Sequence, residues 1–237
     1  MGWFGLDPYS ITQRVLASNK KVAVPTLARS VLHGVIGFTV VSVAGFSPWV
    51  LAGKWFYKNP GELVMYASCA AVFLILSGLL LHPLIIGPGS LKRFYAFFGV
   101  AFLAYSIGWI GGWMGLSGYS SDVRSLVGLF AGTLVMAVMF TLAFEARRMM
   151  LFVLIALFVL NSLGYFVGGW IEGALAQEKQ VVLLGFILSG SKLTIFMKMM
   201  WGVCYGIGFG AGLGISFYII QFKARAMLLL RGRTDEK

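Results

Sequence analysis

The sequence predicts an all-α fold, a polytopic integral membrane protein built as a bundle of six transmembrane helices. The residue types AVILMFWYC make up 59% of the 237 residues, and charged residues make up only 11%. Soluble domains are about 45–50% apolar and about 25% charged. Six apolar stretches reach the length of about 20 residues that a helix needs to cross a bilayer. This composition excludes an ordinary soluble globule and a disordered chain.

Helix-breaking and helix-capping residues separate the six apolar stretches. Asn59, Pro60 and Glu62 supply a cap, a proline and an acidic residue at the start of the second stretch. Pro88 and Gly89 are expected to end that helix. The predicted spans are residues 28–53, 62–87, 94–114, 124–145, 149–173 and 196–222.

Two short segments flank the predicted transmembrane domain of residues 28–222. Residues 1–27 interleave apolar and polar side chains and have no short apolar core followed by a cleavage site, so they do not resemble a secretory signal. We expect this segment to lie on the inner leaflet as an interfacial element, with a loosely ordered tail as the alternative. Residues 223–237 are expected to form a basic cytoplasmic tail.

The distribution of basic residues predicts the orientation. With the N-terminus inside, 13 lysines and arginines fall in the inner segments and six in the outer ones. This excess favours both termini in the cytoplasm, and six of the seven tryptophans then fall near the outer interface. The same topology accounts for the net charge of +11 and for attraction to anionic headgroups on the cytoplasmic side, so a nucleic-acid partner is not expected. The expected location is a bacterial inner (plasma) membrane, with an organelle membrane as the alternative.

An internal similarity predicts that the spans form tandem helical hairpins. Residues 144–151 at the end of the fourth span resemble residues 222–229 at the end of the sixth, at an offset of 78. Residues 111–113 and 168–170, both Gly-Gly-Trp, match at an offset of 57 in the third and fifth spans. The two offsets differ by 21 residues, 78 against 57. This difference places an insertion of 21 residues in the second unit, around residues 174–196. Chance matching among glycine-rich helices is the competing interpretation.

Glycines recur at a spacing of four residues on two of the spans. Apolar burial does not drive helices together in lipid, so close backbone contact between small residues must do so. We expect these glycines to pack helices within the bundle, with contact to another subunit or a glycine-lined path as alternatives. The glycines concerned are Gly128, Gly132, Gly202, Gly206, Gly210 and Gly214.

A few polar side chains interrupt the apolar spans. Those at mid-membrane in the third and fifth spans are Tyr105, Ser106, Asn161 and Ser162. Hydrogen bonds between helices are their expected role, and a polar substrate path is the alternative. Near the outer end of the fifth span, Glu172 is expected to face Lys198 of the sixth.

The two histidines are the only pair that suggests a cofactor. His33 and His82 lie at a similar predicted depth, about 7–8 Å inside the cytoplasmic boundary at 1.5 Å per residue. Adjacent antiparallel helices could bring the two imidazoles together to ligate a haem or the magnesium of a chlorin. Hydrogen bonding to neighbouring helices remains the expected role, so no cofactor and no metal is predicted.

The sequence contains no recognisable catalytic constellation, and its predicted spans carry no ionisable side chain at their centres. We therefore predict that the chain is not an enzyme but an accessory or scaffold subunit of a larger membrane complex, in contact with other membrane subunits and lipids. The alternative is a small transporter or channel with a glycine-rich helix along its path. A second alternative is an electron-transfer or light-harvesting subunit that binds haem or chlorin through His33 and His82.

Overall fold

The structure, a computed structural model, describes residues 3–18, 23–59 and 61–234. Six of its helices are long and apolar enough to cross a membrane, which is the architecture of an all-α, multi-pass integral membrane protein. The helices are α1 (Pro8–Ala17), α2 (Leu27–Lys58), α3 (Glu62–Leu81), α4 (Ser90–Gly115), α5 (Ser121–Ala143), α6 (Met150–Ala176), α7 (Gly190–Ile220) and α8 (Phe222–Thr234). A two-stranded antiparallel hairpin, β1 (Gln180–Leu183) and β2 (Phe186–Ser189), connects α6 to α7.

Helix α7 lies between α2 and α6 and contacts both through glycines. A β-carbon on Gly210 would clash with the backbone of Gly34 in α2, and one on Gly208 would lie 2.8 Å from the Cα of Gly164 in α6. Glycine is required at these positions because the two backbones touch. Three other predicted packing glycines, Gly202, Gly206 and Gly214, also face α2.

Helices α4 and α5 form a second close pair. A β-carbon on Gly128 would lie 2.7 Å from the Trp109 carbonyl oxygen, and one on Gly132 would lie 2.8 Å from the Tyr105 carbonyl oxygen. In the predicted repeat, Gly128 corresponds to Gly206, which instead faces α2. Equivalent positions of the predicted repeat therefore pack against helices that are not equivalent.

The boundaries differ from the predicted spans mainly around the second and sixth helices. Helix α3 ends at Leu81, well before the predicted residue 87, because Pro83 cannot continue the hydrogen-bond ladder. The following loop is fastened to α7, since Gln221 accepts a hydrogen bond from the Ile86 amide at 2.9 Å and donates one to the Leu84 carbonyl at 2.8 Å. Helix α7 begins six residues earlier than predicted, directly after β2.

The segments predicted to flank the bundle are both helical and contact each other. Helix α1 is capped by Asp7, whose carboxylate accepts the Ser10 amide at 2.9 Å, and it packs against α8. The Thr12 hydroxyl lies 3.6 Å from the Met227 sulfur across this contact. The predicted basic tail is thus helical through Thr234, and its last three residues lie outside the described part. We call this side of the bundle the terminal end and the opposite side, with the β-hairpin, the hairpin end.

The apolar run 181–188 forms the β-hairpin. Leu184 and Gly185 make its two-residue turn with φ of 48° and 83°. Positive φ at both central residues is the geometry that matches the twist of two paired strands. Leu184 is 91% exposed and Phe186 73% exposed, so the described residues do not cover the hairpin.

Candidate functional site

An open cavity of about 940 Å³ lies at the hairpin end, between α2, α3, α5, α6 and α7. Its size falls in the range of small-molecule sites, which are mostly apolar with a few polar groups. Aromatic and charged side chains share its wall. The lining residues are Phe46, Trp49, Tyr57, Tyr66, Cys69, Ser121, Asp122, Ser125, Tyr165, Phe166, Gly169, Trp170, Glu172, Lys198 and Trp201.

Trp201 is one of several aromatic rings stacked beside the cavity. Its indole is nearly parallel to the buried ring of Tyr205, with centroids 5.3 Å apart, and it meets Phe46 and Tyr165 edge to face. Gly168 of α6 makes room for it, because a β-carbon there would lie 2.9 Å from the Trp201 ring. Close packing of α6 on α7 therefore sets the position of this ring.

A proline in α2 lies within the wall that presents Phe46 and Trp49. Pro48 has no amide hydrogen to donate to the Ala44 carbonyl, four residues earlier. The Ser47 hydroxyl donates to that carbonyl instead, at 2.7 Å. The Ser-Pro pair therefore interrupts the helix ladder beside the cavity without leaving the carbonyl unpaired.

The charges that line the cavity do not pair with each other. The Lys198 ammonium lies over the Trp49 ring, 4.0 Å from its centroid, and not on Glu172 as the sequence suggested. Asp122 stands in the first turn of α5, where the helix dipole favours a carboxylate. Among the described residues, neither Asp122 nor Glu172 has a basic side chain within ion-pair distance.

Two of the four predicted mid-membrane polar residues meet at the centre of the bundle. The Asn161 amide donates to the Tyr105 phenol oxygen at 3.0 Å, and that oxygen lies 3.4 Å from the Tyr205 hydroxyl. All three side chains are buried. Among the described residues, Ser106 bonds only the Phe102 carbonyl of its own helix, so it does not extend this cluster. Ser162 also stays apart, and its buried oxygen has no partner in the described part of the chain.

Phenylalanines fill the bundle between this polar cluster and the terminal end. Phe209 stacks on Tyr105 with centroids 5.3 Å apart, and Phe217 packs against Phe140 at 4.9 Å. These rings are fully buried. The interior of the bundle is therefore open at the hairpin end, polar at its centre and filled by phenylalanine rings towards the terminal end.

The histidines lie near each other at the terminal end, but backbone groups engage both. His33 Nε2 donates to the Leu80 carbonyl at 2.8 Å, which fastens α2 to α3. His82 is the C-terminal cap of α3, directly after its last residue, and its Nδ1 lies 3.2 Å from the Leu79 carbonyl. The described residues contain no group of three or more side chains of the types that hold a metal ion. His33 therefore bonds a neighbouring helix, whereas His82 bonds only a carbonyl of the helix that it follows.

A second, smaller cavity of about 630 Å³ lies at the terminal end, beside α1. Arg14, Arg93 and Asp7 line it, and Arg14 donates to the Gly5 carbonyl at 2.6 Å. Burial lowers the pKa of Arg14, nearby Arg93 lowers it further and Asp7 raises it. Glu145 also lines this cavity, so two acidic side chains offset two basic ones and the site has no net preference for one sign of charge.

Sequence reasoning missed most of the cavity at the hairpin end. The sequence analysis predicted that Glu172 and Lys198 lie near each other. It did not predict that Asp122 and Tyr165 line the same cavity, because these residues come from separate helices. The aromatic residues near the predicted outer ends of the helices could have indicated the cavity, but they were attributed to the membrane interface. Comparison with protein-family models, with curated proteins and with solved structures finds no match for this chain.

Proposed function

We propose that this protein is a non-catalytic membrane subunit that docks a partner protein through its β-hairpin, with both termini in the cytoplasm. The single observation that supports this is the exposed apolar surface of the hairpin. Val182 and Ile187 pair on one face, and Leu183 and Phe186 pair on the other. Both faces are therefore apolar, which is typical of a surface that another molecule covers.

The length of α7 favours a protein over lipid as the covering partner. Its 31 residues span about 46 Å, whereas the hydrocarbon core is about 30 Å thick. Polar residues follow Ile220, so one boundary of the hydrocarbon core is placed near Ile220. The other boundary then lies about 20 residues earlier in the helix, close to Trp201. Gly190 then stands about 16 Å farther out, beyond the headgroup layer. In this arrangement the hairpin projects into water.

The glycines of α7 give this proposal no support. Both of its glycine faces are used inside the chain, against α2 and α6. An isolated two-stranded hairpin is also only marginally stable in water, so a partner would stabilise it. The hairpin is accordingly the surface to test.

The experiment replaces the exposed apolar pairs with threonine, which keeps the preference for strand. The test variant carries Val182→Thr, Leu183→Thr, Phe186→Thr and Ile187→Thr. The matched control carries Gln180→Thr and Ser189→Thr in the same hairpin. We expect the test variant to extract as a folded, monodisperse protein that loses co-purifying partners, while the control keeps them. Full retention of every partner by the test variant would contradict the proposal.

A small transporter is the second candidate, and the shape of the interior favours it. The cavity at the hairpin end, the buried polar cluster and the closed phenylalanine layer resemble one end state of an alternating-access cycle. In a background with Cys69→Ala and Cys204→Ala, Asn161→Cys should then react with an impermeant reagent added to either side of oriented vesicles. Ala137→Cys, fully buried on α5, is the control. A protein that only scaffolds protects both sites from both sides.

A further inference from the structure

The cavity at the hairpin end presents both signs of charge on three separate helices. Asp122 comes from α5, Glu172 from α6 and Lys198 from α7. The Lys198 ammonium rests on the Trp49 ring, and neither carboxylate meets a described base. A molecule in the cavity could therefore engage an acid and the ammonium at the same time, without breaking an existing ion pair.

The rest of the wall suits an apolar body. Trp201, Tyr165 and Phe46 form an edge-to-face group whose members all line the cavity. Aromatic faces also attract an ammonium, as the position of Lys198 over Trp49 already illustrates. The site thus combines aromatic surface with a few charged groups, which is the usual composition of a small-molecule site.

We infer that this cavity binds a zwitterionic molecule with an apolar body, whose ammonium lies near Asp122 and Glu172 and whose anionic group contacts Lys198. A ligand with only a cation would leave the Lys198 charge unmatched, and one with only an anion would face two carboxylates. Two sources share this chemistry: a free amino acid with a large apolar side chain, and the headgroup of an aminophospholipid. The inference goes beyond partner docking and holds whether or not the bound molecule is transported.

The first experiment compares three probes that share a phenyl ring on a two-carbon chain and differ in which charged groups they carry. L-phenylalanine carries both charges, phenethylamine only the ammonium and 3-phenylpropionate only the carboxylate. Equilibrium dialysis against the full chain in neutral detergent measures their affinity. We expect L-phenylalanine to bind roughly tenfold more tightly than either fragment, since one charge-assisted contact is worth about that factor. Equal binding of phenethylamine and L-phenylalanine would overturn the inference.

Dihexanoyl-phosphatidylethanolamine tests the lipid source, with dihexanoyl-phosphatidylglycerol as its anionic counterpart. Binding of the ethanolamine lipid but not of L-phenylalanine assigns the site to a headgroup, and the reverse assigns it to a free amino acid. Each result supports a zwitterion site. If neither zwitterion binds, or if the glycerol lipid binds as well as the ethanolamine lipid, the inference is wrong.

Charge-neutral variants show whether the named side chains make the contacts. Lys198→Gln should reduce the affinity for the better zwitterion roughly tenfold without weakening phenethylamine, and Glu172→Gln should weaken both. Lys192→Gln is the matched control, because Lys192 is exposed on the same helix and does not line the cavity. Unchanged affinity in both Lys198→Gln and Glu172→Gln would overturn the assignment.

Cys69 provides an independent readout, because it lines the cavity whereas Cys204 does not. Bound zwitterion should slow alkylation of Cys69 by a small maleimide and leave the rate at Cys204 unchanged. Protection of Cys69 that persists in the Lys198→Gln variant at the same probe concentration would contradict the proposed contact. Partner co-purification is measured separately, so failure of this inference and failure of the docking proposal are distinguishable.

Discussion

Gly34 and Gly210 face each other across the α2–α7 contact so closely that a β-carbon on Gly210 would clash with the Gly34 backbone. The clash is with backbone atoms, which cannot rotate away as a flexible side chain can. Gly214 repeats the arrangement one turn on, where a β-carbon would lie 2.5 Å from the Ser30 carbonyl oxygen. The separation of α2 and α7 is therefore set by the absence of side chains.

The first prediction is that Gly210→Ala destabilises the bundle. The added methyl must push α2 and α7 apart, and overpacking of this kind typically costs about 1–3 kcal/mol. Thermal unfolding in mild detergent measures the effect. Gly111→Ala is the control, since a β-carbon there would meet nothing within 4 Å. Equal melting temperatures for the two variants would show that α2 can move away at little cost.

The second prediction concerns the buried hydrogen bond between Asn161 and Tyr105. A double-mutant cycle with Asn161→Leu and Tyr105→Phe should give a coupling of about 0.6 kcal/mol, the average for such bonds in a membrane protein, and at most about 1.7 kcal/mol. Ser106→Ala is the control, because its hydroxyl bonds only its own helix. Strictly additive effects would indicate that the contact contributes nothing to stability.

The third prediction is that Gln221→Leu loosens the loop after α3. The change leaves the buried Ile86 amide and Leu84 carbonyl without their partner, at a cost of about 1–3 kcal/mol. Hydrogen exchange should become faster at Ile86. Thr141→Val, which removes a hydroxyl that bonds only its own helix, should leave that amide protected. Unchanged exchange in Gln221→Leu would mean that water replaces the side chain freely.

The sequence predicted the six membrane helices because each long apolar stretch carries that information locally. It gave one role, bonding between helices, to Tyr105, Ser106, Asn161 and Ser162, but only Tyr105 and Asn161 bond each other across helices in the described part of the chain. It did not predict that Gly206 faces α2 while Gly128 faces α4, because the choice of helix partner depends on the whole bundle. The cavity at the hairpin end was missed for the same reason. Residues 223–237 were predicted as a basic tail because of their arginines and lysines. That composition does not show that α8 forms there or that Ala224 is buried within it.

The fourth prediction is that the purified protein shows no haem absorption. His33 already donates from Nε2 to the Leu80 carbonyl, and ligation through that nitrogen would break this hydrogen bond between α2 and α3. A visible absorption spectrum is the measurement. His33→Ala should lower the melting temperature through loss of this hydrogen bond, whereas a Soret band that disappears in both His33→Ala and His82→Ala would favour an electron-transfer subunit.

The fifth prediction is the orientation of the chain, on which the docking proposal depends. Basic residues are in excess on the side of the bundle that carries both termini, so that side should be cytoplasmic and the β-hairpin should be outside. In a background with Cys69→Ala and Cys204→Ala, Lys179→Cys and Ala226→Cys each add one thiol at an exposed position. An impermeant maleimide should label Lys179→Cys in intact cells and Ala226→Cys only after permeabilisation. The opposite labelling pattern would put the hairpin in the cytoplasm, and its partner would then have to be a cytoplasmic protein.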